Sequence, residues 1–486
     1  MRLHGLDLII IIAYLAGITL LGVFFRRGQR GLRDYFLGGR TAPWWALALS
    51  IVATETSTLT IIGTPALAFA GNLTFLQLVL GYLAGRVVIV LLILPHFFRG
   101  ESITAYQYIE QRFGGRMRAA AALLFLATRA LAEGVRVAAI AIVVGAAFGT
   151  GPRVSVTLVL VLTLLYTFEG GMKAVIWTDV AQTILYLSGS LVAFFLLLHL
   201  IPGGWADIVR ISGAAGDKLR VFDFSFSLRD PSKTYTFWSG LIGGCFLTMA
   251  THGTDQTIVQ RLLAARSEQE SKIALLASGG IIFAQFSLFL ALGAMLFVWH
   301  GAPVIAAGSS YDWVFPDFVV KAMPAGLRGL MIASILAVAM SNLSGSLNSL
   351  SASSMADFGA LRGKKWNKGS ESPARSLRLS RWMTLVWGAV LLVLGTIRWG
   401  PVLEAGLTIA SITFGSLLGI FLLGILMRRA DATGSFVGMI AGLAGMLVIH
   451  EEKLLVWTWY VLAGALITFA VGAITSLAIR LCVTGS

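Results

Sequence analysis

Apolar runs of about 20 residues recur from one end of the 486-residue chain to the other, parted by short polar or glycine-bearing breaks. A run of that length crosses a hydrocarbon core of about 30 Å as an α-helix. The pattern predicts spans near 6–25, 43–70, 73–98, 117–149, 153–168, 173–200, 235–262, 272–298, 323–357, 379–398, 403–427, 433–449 and 454–483, about thirteen in all. The expected fold class is an all-α polytopic membrane protein, with no room for a separate soluble domain.

Composition agrees: 57% of residues are hydrophobic, 12% are charged, and mean hydropathy is +0.84, a balance that belongs in lipid. The formal charge of +14 is read through position rather than as a nucleic-acid surface. Arg26, Arg27, Arg30, Arg33 and Arg40 follow a first run that has no small-residue cleavage site, so it is expected to be a retained span. With that loop in the cytoplasm, alternate loops (Arg99 to Arg118, Arg261 to Lys272, Arg362 to Arg381, Arg428 and Arg429) also become cytoplasmic, and they are the basic ones. The opposite loops are short or charge-balanced, so the expected topology is amino terminus outside and carboxyl terminus inside a cytoplasmic membrane. Lys364, Lys365 and Lys368 serve as an orientation signal or meet anionic lipid headgroups. Cys245 and Cys482 lie in apolar runs, and the six histidines have no metal- or haem-type spacing, which removes the main support for redox enzymology.

Chemistry concentrates at a few depths. The second run places Thr54, Glu55, Thr56, Ser57, Thr58 and Thr60 near the bilayer centre, ahead of Gly63 and Pro65. A carboxylate there costs about 2.5–3.5 kcal/mol or more unless compensated, so Glu55 is expected to face a cavity. Two backbones fit this cluster: an unwound segment whose carbonyls ligate a cation, or a continuous helix whose hydroxyls bond back to their own turn. In the ninth run, Ser341, Ser344 and Asn348 stack oxygens on one helix face, for ion binding or for close packing. The fourth run carries Arg129, Glu133 and Arg136 on one face, either as a self-satisfied network or with one arginine left for Glu55 or a substrate carboxylate. Asp179 opens the sixth run as an interfacial carboxylate or a functional intramembrane acid.

Several segments resemble the sodium/solute symporter family, whose members include sodium-coupled glucose, proline, pantothenate, iodide and sialic acid carriers. They are Gly38 to Arg40, Ala53 to Pro65, Tyr108 to Gly114, Gly170 to Gln182, Asp255 to Leu262 and Ser341 to Ser349, in family order over nearly the whole chain. The resemblance implies a leucine-transporter fold: a first helix with a basic loop (1–42), inverted five-helix repeats at 43–200 and 234–427, an extracellular loop at 201–233, and two further helices at 428–486. The second and seventh spans would be the discontinuous pair beside the substrate, a role that Gly240, Gly243, Gly244 and the polar run Thr248 to Gly253 suit.

By the same resemblance, sodium takes the backbone carbonyls of Ala53, Thr56 and Val338 with the side chains of Ser341 and Asn342, where many relatives have a second Ser or Thr at the last position. Asp179 and Ser344 would belong to coupling or to a second sodium, although Gly345 stands where another Ser is expected. Position points to Glu55, Ser57, Thr60, Gln77, Arg129, Arg136, Thr248, Thr251 and His252 for the solute; His252 equally fits a packing role. The expected function is sodium-coupled symport of a small polar solute by alternating access, with no enzymatic step, no organic cofactor and no nucleic-acid partner, by a chain that works as a monomer in the bilayer. The alternatives are a proton-coupled or uncoupled carrier on the same fold, and, from another class, a membrane sensor or channel.

Overall fold

A computed structural model describes residues 4–24, 32–99, 103–304, 311–359, 373–397 and 402–484. The cluster Lys364, Lys365 and Lys368, like Arg26, Arg27 and Arg30, lies outside the described residues. Each apolar run is helical. We number the spans α1 (Gly5–Phe24), α2a and α2b (Trp44–Glu55 and Thr58–Ala70), α3 (Leu76–Phe98), α4 (Gly115–Phe148), α5 and α6 (152–170 and Gly171–Leu200), α7a and α7b (239–253 and Gln256–Leu263), α8 (Glu268–Trp299), α9 (Leu327–Gly359), α10 (Pro373–Gly395), α11 (Val402–Leu426), α12 (Ala432–Glu451) and α13 (Tyr460–Thr484). Among the described residues, eight helices are long and apolar enough to cross a bilayer, and the bent pair α2a and α2b makes a ninth. The remaining runs are short, interrupted or charged, as α4 is by Arg129, Glu133 and Arg136.

The chain turns from α5 into α6 at Gly171, whose φ of +56° and ψ of −155° suit only a residue without Cβ. A Cβ there would also stand 2.6 Å from the carbonyl oxygen of Tyr35. Helices α3 and α7a meet through Gly81, Gly240 and Gly244, where small residues let backbones touch and dispersion replaces the hydrophobic drive that lipid cannot supply.

Loops at one end of the bundle lock to each other. Arg112 donates to the carbonyls of Gly424 (3.1 Å) and Met427 (2.7 Å), Gln260 to Phe36 O (2.7 Å), and Arg266 to Thr41 O (3.0 Å). At the other end, Lys218 caps the last carbonyls of α2b, donating to Phe69 O at 2.8 Å, and Asp7 receives the Gly326 and Gly329 amides and Arg328 where α9 begins. Two of the residues expected in the basic loops lie elsewhere. Arg118 is buried against Asp357 (2.8 Å) and Glu110, and Arg261 is buried inside the bundle, so neither is a loop charge. A helix at Val314–Ala322 precedes α9, which starts at Leu327 after Pro324 rather than at 323.

Candidate ion and solute site

The second span is broken, and its own hydroxyls break it. Thr56 and Ser57 are extended (ψ 118° and 165°), and the two arms meet at 66°. Ser57 starts α2b with a capping box: the Thr60 amide donates to Ser57 Oγ at 3.2 Å, and the Ser57 amide donates to Thr60 Oγ1 at 3.1 Å. In a continuous helix those two amides would satisfy the carbonyls of Ala53 and Thr56. Diverted to the box, they leave both carbonyls without their helical donors. Gln285 of α8 and Tyr186 of α6 hold the break open from the side by bonding Thr56 Oγ1 at 2.8 and 3.2 Å.

Both freed carbonyls point at α9. Asn342 Nδ2 donates to Thr56 O, and also to Ala53 O at 3.4 Å and Val338 O at 3.3 Å, so three carbonyl oxygens converge on one point. The other amide atom, Asn342 Oδ1, is buried and has no hydrogen-bond partner. Turning the amide by half a revolution would exchange nitrogen for oxygen and give this point a fourth oxygen, as a hard monovalent cation requires. Ser341 lies alongside. Its hydroxyl donates to Asp179 Oδ1 at 2.6 Å, which turns its lone pairs away from that proton. All five residues expected at the sodium position are therefore neighbours. Ser344 bonds back to Ser341 O at 2.9 Å, and Asp179 pairs with Arg261 at 2.8 Å.

Next to the break lies a cavity of about 250 Å³. Eight of the nine expected solute residues line it: Glu55, Ser57, Thr60, Arg129, Arg136, Thr248, Thr251 and His252. Gln77 does not. It is fully buried, donates to the carbonyls of Thr74 and Tyr235, and accepts the Asp223 amide at 3.0 Å, so it ties the loop before α7a to α3.

Glu55 is neutralised from a direction the sequence reading did not name. Arg86 of α3 pairs with it, and His252 Nε2 lies 3.3 Å away. Arg86 was findable, since an arginine in the middle of an apolar span demands a carboxylate partner. On α4, Arg129 is consumed by Ser346, Asp255 (3.5 Å) and Glu133 (3.6 Å), whereas Arg136 touches Glu133 at 3.3 Å and keeps 28% of its side chain exposed. Both arginines reach the cavity, Arg129 with its guanidinium tied to protein groups and Arg136 with an edge left open. Phe75, Tyr82, Tyr235, Phe286, Phe414 and Trp457 supply the apolar wall. They come from several helices and the segments beside them, so no single-helix periodicity marks them. The break in the seventh span falls at Thr254 and Asp255, just past the polar run, and Asp255 caps α7b through the Thr257 amide at 2.7 Å.

The sodium:solute symporter family profile matches residues 35–442. The chain belongs to that family. Membership makes it a sodium-coupled solute carrier rather than an enzyme. It is 31% identical to the sodium/sialic acid symporter SiaT of Proteus mirabilis, over 98% of this chain and 96% of that one. It is also 30% identical to the human sodium/iodide cotransporter, over 88% and 66%. Among solved structures, a sodium-coupled sialic acid symporter in a substrate-bound outward-open state matches at a TM-score of 0.87 and 28% identity, covering 98% of each chain. MhsT in complex with L-phenylalanine, at a TM-score of 0.52 and 16% identity, shares the fold alone.

Proposed function

We propose that the chain imports a small organic solute bearing a carboxylate across the cytoplasmic membrane, amino terminus outside and carboxyl terminus inside. Its sodium is held by Ala53, Thr56, Val338, Ser341 and Asn342. The observation that carries this reading is the capping box, because it frees the two carbonyls that converge with Val338 O at the Asn342 amide. Sodium entering from outside would pull the two arms of the second span toward α9 and favour the outward-open state. The solute then settles beside the break, its carboxylate on the exposed edge of Arg136, its polar groups on Ser57, Thr60 and Thr248, and its apolar body against the aromatic wall. Glu55 does not repel an anion, since Arg86 already balances it. Asp179 acts through Ser341, whose hydroxyl hydrogen bond it accepts, so that the oxygen lone pairs are left for the ion. The carrier works as a single chain, with repeats at 43–200 and 234–427 rocking about this site.

Proteoliposomes test the reading. A sodium gradient is expected to drive accumulation of labelled organic acids, while a pH gradient alone is not; accumulation driven equally by pH would point to proton coupling. Ser341→Ala removes one neutral ligand and is expected to raise the sodium concentration for half-maximal uptake about tenfold, one ligand being worth about 1.4 kcal/mol. Unchanged sodium dependence would remove Ser341 from the site. Arg136→Ala is expected to weaken solute binding by about 100-fold while leaving sodium binding intact, a split that a purely structural arginine would not produce.

A further inference from the structure

The loop between α6 and α7a carries an exposed apolar face. Along 221–228 exposure alternates residue by residue, which is the period of an extended chain. Phe222, Phe224, Phe226 and Leu228 are 50%, 64%, 63% and 42% exposed, while Asp223, Ser225 and Ser227 between them are half-buried. Phe222 stacks on Phe224 at 5.8 Å, Phe224 leans on Phe237 at 5.1 Å, and Phe226 leans on Trp459 at 6.0 Å. With aromatic side chains of about 150–250 Å² each, the three phenylalanines leave on the order of 300 Å² open, a patch of the size that marks an interaction surface.

The other side of the segment fixes its height on the bundle. The Asp223 amide donates to Gln77 Oε1 at the start of α3 at 3.0 Å, and the Phe237 amide, just before α7a, donates to Asp223 O at 2.7 Å. The Val456 amide, just before the apolar span Trp457–Cys482, donates to Leu228 O at 2.8 Å, and Trp459 Nε1 donates to Ser227 O at 3.2 Å. The face therefore runs level with the points where three membrane helices begin, at the end of the bundle where Lys218 caps α2b. From Phe222 to Leu228 it covers roughly 20 Å at about 3.3 Å per residue. Its Leu228 end abuts α13, which turns Leu466, Ile474, Leu477 and Leu481 outward from the bundle.

We propose that Phe222, Phe224, Phe226 and Leu228 seat in the lipid leaflet at this end of the bundle, at the boundary of headgroups and acyl chains, and anchor the loop to the membrane surface. The interfacial layer is about 5–7 Å thick on each side of the hydrocarbon core and is where aromatic rings concentrate. Two more amphipathic rings stand in the same loop: Trp238 is exposed just before α7a, and Trp205 is exposed on the short helix Gly204–Ala214. Arg229 follows the ladder, exposed and, among the described residues, without a carboxylate partner, so its guanidinium is free for a lipid phosphate. The neighbouring Asp230 carboxylate is turned to the Ser232 amide at 2.9 Å. Apolar side chains at every second position cost a loop in water and stabilise one that lies against lipid. Anchored in this way, the segment holds the outer ends of α3, α7a and α13 at one depth.

Electron paramagnetic resonance of the full chain in phosphatidylcholine–phosphatidylglycerol vesicles tests this without knowledge of ion or solute. In a background carrying Cys245→Ala and Cys482→Ala, a nitroxide is attached at Phe224→Cys or, independently, at Phe226→Cys, with Ala215→Cys as the water-exposed reference. At 224 and 226 collisions with oxygen, which dissolves in lipid, are expected to exceed those with a water-soluble nickel chelate; at 215 the order is expected to reverse. Either ladder position serves if the other variant does not fold. Nickel collisions in excess at 224 and 226, as at 215, would place the face in water and overturn the proposal. Labels shielded from both reagents would place it against protein and overturn it equally, and mutual broadening relieved by dilution with unlabelled chain would identify that protein as a second copy.

Discussion

Asn342→Leu is expected to abolish sodium-driven uptake and to destabilise the protein even without sodium. Leu has the branching of Asn but no donor and no acceptor, so it strips the carbonyls of Ala53 and Thr56 of the amide they now share. Each buried acceptor left unpaired costs about 1–3 kcal/mol. It also removes Oδ1, the oxygen that the turned amide would offer the ion. A loss of about 3 kcal/mol in sodium binding corresponds to roughly 100-fold weaker affinity. Asn342→Ser separates the two roles. Its hydroxyl can ligate, but it has no amide nitrogen to compete for the carbonyls, so sodium should bind about tenfold more tightly than in wild type. Sodium dependence that moves in the same direction in both variants would show that the amide does not switch between donating and ligating.

Asp179→Asn has a comparably large expected effect, through charge rather than ligation. It leaves the Arg261 guanidinium buried without its counter-ion, and removing one partner of a buried pair costs about 3–5 kcal/mol. Thermal unfolding of the detergent-solubilised protein should show this as a large fall in midpoint, with sodium-driven uptake lost. Adding Arg261→Gln removes the orphaned charge, so the double variant should be more stable than Asp179→Asn alone. A double variant whose losses simply add would show that the pair is not energetically coupled.

The parts of this account that were legible in the sequence were those written in local spacing. The polar β-branched run Ala53 to Thr60 left a break and a continuous helix both open, and the capping box between Ser57 and Thr60 shows why the chain breaks there rather than at Pro65, which sits inside α2b. Ser341 and Asn342 were placed by resemblance; in the structure the Asn342 amide meets the freed carbonyls, while the Ser341 hydroxyl meets Asp179. What escaped the sequence depends on which helices meet. Arg261 and Arg118 read as loop bases because each lies at the edge of an apolar run, and only packing shows that Asp179 and Asp357 draw them inward. Gln77 read as a solute residue because a polar side chain within an apolar run usually faces a cavity. It instead satisfies loop backbone at the helix start, a partner 158 residues away in sequence. Arg86 had a legible demand for a carboxylate, but its choice of Glu55 over any other acid is a matter of the tertiary fold.

The sodium position itself is tested most directly by the thermal unfolding midpoint of the purified protein titrated with sodium chloride, with potassium chloride holding ionic strength constant. A ligand that binds only the folded state stabilises it by about 2.7 kcal/mol at a hundred times its dissociation constant. Wild type should therefore show a midpoint that climbs with the logarithm of sodium concentration, and Asn342→Leu should show none of that climb. A sodium-specific climb of equal size in Asn342→Leu, or an equal response of the wild type to potassium, would contradict the site built from Ala53, Thr56, Val338, Ser341 and Asn342.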